Sequence, residues 1–107
     1  MDAQEFIAQK DGDFRKEKNR VHSFEDSEGN TTDWYREAWT FMPQSNYPTK
    51  VFLFDRFRRV DSGALEYRFS YYGYKYDRWD WSRSCPLIPV EDLQPLLDKA
   101  RREGTLL

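Results

Sequence analysis

The stretch VFLFDRFRRVDSGALEYRFSYYGY, Val51 to Tyr74, alternates aromatic residues and arginines around one tight turn. Asp61, Ser62 and Gly63 stand between Val60 and Ala64, which suits a three-residue hairpin loop with glycine at the left-handed position of a bulge. That loop length sets the register: Phe57 opposite Tyr67, Leu53 opposite Tyr71, Arg58 opposite Glu66 and Arg56 opposite Arg68. One face then collects Leu53, Phe57, Leu65, Tyr67, Phe69 and Tyr71 and reads as core, with Asp55 and Arg59 as polar exceptions. A two- or four-residue loop would put Arg56 and Arg58 on the face of Leu65, Tyr67 and Phe69. Buried arginines without partners are costly, so the first register is the expectation.

The second face in that register presents Phe52, Phe54, Arg56, Arg58, Arg68 and Tyr72. Like charges directly opposite on a sheet are unfavourable by up to ~1 kcal/mol, yet Arg56 and Arg68 are placed that way. Such a face is suited to receive something anionic and planar. Arginines and rings on an open sheet make a stacking platform for unpaired bases of single-stranded DNA or RNA. They serve an acidic or aromatic protein surface, or a second copy of the chain, equally well. The plainer alternative is that Arg58 pairs with Glu66, that Arg56 pairs with Asp80 or another neighbouring carboxylate, and that the arginine stems merely cover rings.

Working outward, strands are expected at about 50–60, 65–73 and 78–85, the last two joined by a short link at 74–77. Residues 33–42 are ambiguous, because Tyr35 and Trp39 share a helical face while the aromatic and Thr content, ended by Pro43, favours a strand; the strand is the expectation. PQSNYPT, 43–49, reads as a loop bounded by two prolines. At the start, Asp2 with Glu5 three residues on forms a capping-box pattern, Phe6 and Ile7 side with Ala3, and Gly12 is a stop, so a short helix is expected near 3–10. Residues 13–32 read as a polar excursion and loop. At the other end, Leu93, Leu96, Leu97 and Ala100 fall at helical spacing within 90–104. Pro95 argues for a looser turn at 90–94 and regular helix from there on.

The sum is one α+β domain over 1–107. A polar segment (1–32) precedes a four-stranded antiparallel meander (33–85), and a carboxyl-terminal helix (90–104) packs on one sheet face. In topology alone such a meander closed by a helix resembles the single-strand-binding coactivator and whirly domains; no sequence motif of those families accompanies the likeness, and fold analogy does not establish function.

Composition bounds the rest. The 107 residues contain 19 aromatic rings, enough to build a core that 38% hydrophobic residues would otherwise leave modest. Net charge is −2, which argues against a generic polyanion binder, but residues 50–83 hold 8 basic and 5 acidic groups and form the one positive block. The single cysteine, Cys85, excludes an internal disulfide and reads as an inert thiol. No apolar run approaches the ~20 residues of a membrane span, and the start lacks the h-region of a signal peptide, so a cytoplasmic protein is expected. The sequon Asn30-Thr31-Thr32 then carries no glycan.

Catalytic motifs are sparse. His22, the one histidine, has Glu25 and Asp26 near it but no nucleophile identified in the sequence, and a capping or surface role is expected. Asp61, Glu66 and Arg68 loosely match a nuclease string that normally ends in lysine; Asp61 is better explained by the turn. Trp34, Trp39, Trp79 and Trp81 could cage a cation but are more economically core. No phosphate loop, Cys/His cluster or GxSxG elbow occurs, so the chain is read as a binding protein without metal or cofactor.

Overall fold

The computed structural model describes residues 1–82 and 86–107. Helix α1 (Ala3–Lys16) is followed by strands β1 (Val21–Glu25), β2 (Thr31–Gln44), β3 (Tyr47–Arg59), β4 (Leu65–Lys75) and β5 (Arg78–Ser82), and by helix α2 (Val90–Arg102). The strands form a single antiparallel sheet in chain order, so the α+β meander with terminal helices is as expected. The sheet has five strands where four were expected. The extra one is β1, drawn from the tract read as loop: Asp26 Oδ1 accepts from the backbone N–H groups of Glu28 and Asn30 at 2.9 Å, Gly29 takes a φ of 83°, and the turn so formed pairs Val21 with Tyr35. Cys85 and the end of the expected last strand lie outside the described residues.

Helix α1 starts on the expected capping box, with Glu5 N–H donating to Asp2 Oδ1 at 2.8 Å. It runs on through Gly12 to Lys16 instead of stopping near residue 10. A mid-helix glycine costs about 1 kcal/mol, which burial of Phe14 against Phe41 and Trp39 outweighs. Helix α2 likewise begins at Val90, five residues before Pro95, in place of a looser turn. Its start is tied down where the buried Asp92 carboxylate accepts from Ser45 N–H at 2.9 Å, and Leu96 and Ala100 are fully buried against the sheet. Strand β2 is a strand, as read, and continues past Pro43. The expected 43–49 loop shrinks to a two-residue turn at Ser45 and Asn46.

The β3–β4 loop has four residues, Val60 to Gly63, not three: Arg59 N–H donates to Ala64 O and Gly63 N–H to Arg59 O, each at 2.9 Å. Every partner therefore moves by one. Asp55 faces Arg68, Arg56 faces Tyr67, Phe57 faces Glu66 and Arg58 faces Leu65, so Arg56 and Arg68 lie on opposite faces and the expected confrontation of like charges does not occur. Arg56 and Arg58 do share a face with Leu65, Tyr67 and Phe69. The objection to that arrangement, unpartnered arginines, is met by Glu37, an extra residue at a bulge in β2 between Arg36 and Ala38.

Both faces are covered, giving three layers where a helix on one face was expected. Helix α1 lays Phe6 and Phe14 over Phe41, Val51, Leu53 and Tyr72, while α2 lays Leu96 and Ala100 over Phe52 and Phe54. Double coverage explains why VFLF is apolar without alternation. Neither helix reaches the end of the sheet that holds β1 and the β3–β4 loop, and the surfaces of interest lie there.

Candidate binding surfaces at the uncovered end of the sheet

The six residues expected to share an exposed face are divided among four settings. Phe52 and Phe54, at 0% and 1% exposure, are core beneath α2, and Tyr72 is core beneath α1, with its ring 4.9 Å from Phe6. Arg56 and Arg58 remain on the α2 side, where both Nε atoms donate to Glu37 at 2.8 Å; Arg56 Nη1 also reaches the carbonyls of Gly104 and Thr105 at 2.7 and 2.8 Å, closing the end of α2. Arg68 is on the other face. Of the plainer alternative, arginines paired within the protein, the Arg56 part holds, with Glu37 of neighbouring β2 as the carboxylate and Asp80 taken by Arg78; Arg58 shares Glu37 in place of Glu66, which lies opposite Phe57. Burial opposes ionisation of Glu37, but hydrogen bonds from Arg58 and Arg56 outweigh it and hold the carboxyl below the usual range.

On the α1 side, Asp55 is fully buried and shared by two arginines. Arg68 donates from Nη2 to Oδ2 at 2.8 Å and from Nε to Oδ1 at 3.2 Å, and Arg36 Nε reaches Oδ2 at 3.2 Å. Burial pushes the Asp55 carboxyl above its ordinary value despite these cations, and burial pushes the Arg36 guanidinium down. The guanidiniums rest on rings: Arg36 lies 3.9 Å from the Phe14 centroid, and Arg68 lies 4.7, 5.0 and 5.6 Å from those of Phe57, Trp81 and Phe24. His22 stands beside this group on β1, half-buried and edge-on to Phe57, with Nε2 buried and lacking a hydrogen-bond partner. Burial, then the charges of Arg36, Arg20 and Arg68, lower its pKa, so the imidazole is neutral at pH 7. The expected surface histidine is thus a packed one.

Beside Arg68 opens a groove of about 740 Å³, with Trp34 and Phe57 buried in its floor, exposed Phe24 and Trp81 lining it, and Glu66 also present. The two indoles are pinned, Trp34 Nε1 to Thr32 Oγ1 and Trp81 Nε1 to Ser70 Oγ, both at 2.9 Å. Glu25 and Asp26 also line the groove, with Tyr67 at its edge. Of the four tryptophans read as core, Trp34 is buried, Trp39 and Trp79 are half-buried and Trp81 is exposed. Trp34 and Trp81 do share a cavity, and the cation beside Trp81 is the protein's own Arg68.

On the α2 side, Leu65, Tyr67 and Phe69, expected in the core, are exposed beyond the end of the helix layer, Tyr67 by 46% and Phe69 by 37%. The Tyr67 and Phe69 rings lean on buried Phe54, with centroids 5.0 and 4.7 Å away, and Tyr67 Oη accepts from Leu107 N–H at 2.9 Å. The next row runs Val21, Tyr35, Arg58, Leu65 across four strands. The sequence held these residues but the register hid their face.

Among the described residues no group of three or more His, Cys, Asp or Glu could hold a metal ion, and no helix is long and apolar enough to cross a membrane. No family model, no curated protein and no solved structure matches the chain.

Proposed function

We propose that the protein acts by binding, and that it meets another protein surface through the uncovered α2 side of its sheet, in the simplest case a second copy of itself. The observation that supports this reading is the row of exposed Leu65, Tyr67 and Phe69 beside Leu107 and Val21. Exposed aromatic and aliphatic side chains grouped on rigid strands, with one arginine, are what interfaces use. A second reading, single-stranded nucleic acid stacked on Tyr67 and Phe69 with Arg58 as the cation, draws on the same surface. It is weakened by Glu37, which already takes both Arg56 and Arg58, and by a net charge of −2.

Light scattering across a concentration series tests the proposal. A dimer that Phe69→Asp dissociates without loss of fold is the expected result, Phe69 being replaceable because it is partly exposed. A monomer at every concentration overturns the self-association reading. Salt-sensitive anisotropy changes with a labelled single-stranded oligonucleotide, lost in Arg58→Ala, would put nucleic acid in its place.

A further inference from the structure

The groove beside Arg68 opens mainly on the α1 side, meets the proposed interface only at Tyr67, and has a chemistry of its own. Arg36 and Arg68 share one buried carboxylate, so the group holds an excess positive charge where the surroundings are mostly rings. Such a charge interacts strongly with an anion because water screens it poorly. Arg68 is the partner that lines the groove; its Nε and Nη2 are engaged by Asp55, and among the described residues its Nη1 has no acceptor. The rings Phe24, Phe57 and Trp81 gather around that same guanidinium.

We propose that this groove binds a small planar aromatic monocarboxylate, its ring against Phe24 and Trp81 over Phe57 and its carboxylate on the free edge of Arg68. Volume and rings agree on this class, with Arg68 the one cation among the described residues of the lining: about 740 Å³ lies within the range of small-molecule sites, which are largely apolar with a few placed polar groups. The carboxylates of Glu25, Asp26 and Glu66 in the lining restrict the ligand to a single negative charge. A phosphate-rich chain or a dicarboxylate would meet them. Glu66 is also placed to accept from a ring N–H or hydroxyl of the ligand. The guanidinium offers a charge-assisted hydrogen bond that a neutral amide of the same shape does not receive.

The test is calorimetric titration and tryptophan fluorescence with 2-naphthoate, against 2-naphthamide and 2-naphthylmethylammonium as shape-matched neutral and cationic probes. Naphthoate should bind saturably and naphthamide about tenfold more weakly, as expected for one charge-assisted contact. Trp81→Leu and Phe24→Leu should each weaken naphthoate about tenfold, in line with the loss of one stacked ring. These two replace partly exposed side chains, so the fold is kept; Arg68→Met, which also disturbs Asp55, is read only beside them. Equal affinity for naphthoate and naphthamide, preference for the ammonium, insensitivity to both groove variants, or no heat at millimolar naphthoate would each overturn the proposal.

Discussion

Asp55 stands directly across the β3–β4 ladder from Arg68, and one of its oxygens, Oδ2, takes both Arg68 Nη2 at 2.8 Å and Arg36 Nε at 3.2 Å. A single buried carboxylate therefore joins β2, β3 and β4 on the α1 side. On the α2 side, Glu37 takes both Arg56 and Arg58 and so ties β2 to β3. The three arginines that looked outward-facing in the sequence, together with Arg36, are thus shared between two acids.

Removing the shared charge leaves two guanidiniums facing each other in a poorly solvated place. Asp55→Asn is expected to lower stability by about 3–5 kcal/mol, the range for breaking a buried pair from one side. Urea unfolding measures it, and a loss below about 1 kcal/mol would show that Asp55 is not the ionic centre described here.

Glu37 gives a pH dependence of defined sign. Its folded carboxyl titrates below the ordinary value of 4.5, so the stability it contributes is present above that value and is lost as pH falls through the folded one. The protein should exceed Glu37→Gln by about 1–3 kcal/mol at pH 7, as for hydrogen bonds to charged groups. That gap should close on acidification; a gap that stays constant down to pH 3 contradicts the assignment.

The rings of Phe54 and Phe69 pack with centroids 4.7 Å apart but have opposite surroundings, one buried and one partly in water. Phe54→Ala should cost about 3–5 kcal/mol. Phe69→Ala should cost less than half of that and change association instead. Comparable losses of stability would mean that the α2 layer extends further than described.

Gly63 has φ at +73°, and an added Cβ would find only Arg58 Nη1 at 3.9 Å, so strain there is purely backbone. Gly63→Ala should cost about 1 kcal/mol, and Gly63→Asn should recover part of it, because asparagine tolerates the left-handed region. If thermal unfolding shows no difference between the two, the left-handed turn is not what holds the register.

Much of the fold was legible: the capping box at Asp2, the amphipathic stripe of Leu96 and Ala100 and the strands around the central hairpin stand in the sequence as they stand in the molecule. The site was not, for two physical reasons. First, glycine in a left-handed turn fits both a three- and a four-residue loop, and the one-residue difference exchanges the faces of β4 relative to β3. Second, the bulge at Glu37 inverts the alternation within β2, so that Trp34 and Arg36 share a face with Trp39 and Phe41, which strict alternation does not give. Glu37 itself gave no local signal; its importance comes from two arginines on another strand. Asp55 did give one, as a polar residue on the face read as core.

Lys99 has a consequence reaching beyond the single chain. Strand β1 accompanies β2 only as far as Tyr35, leaving the outer rim of the later part of β2 without a described strand beside it. Along that rim the Lys99 ammonium occupies the Phe41 carbonyl, and Pro43 has no amide hydrogen to offer. Both features obstruct the addition of a foreign strand, which would otherwise find a long aromatic template. Lys99→Met should therefore shorten the lag of thioflavin-detected aggregation in concentrated solution while leaving the unfolding midpoint nearly where it was.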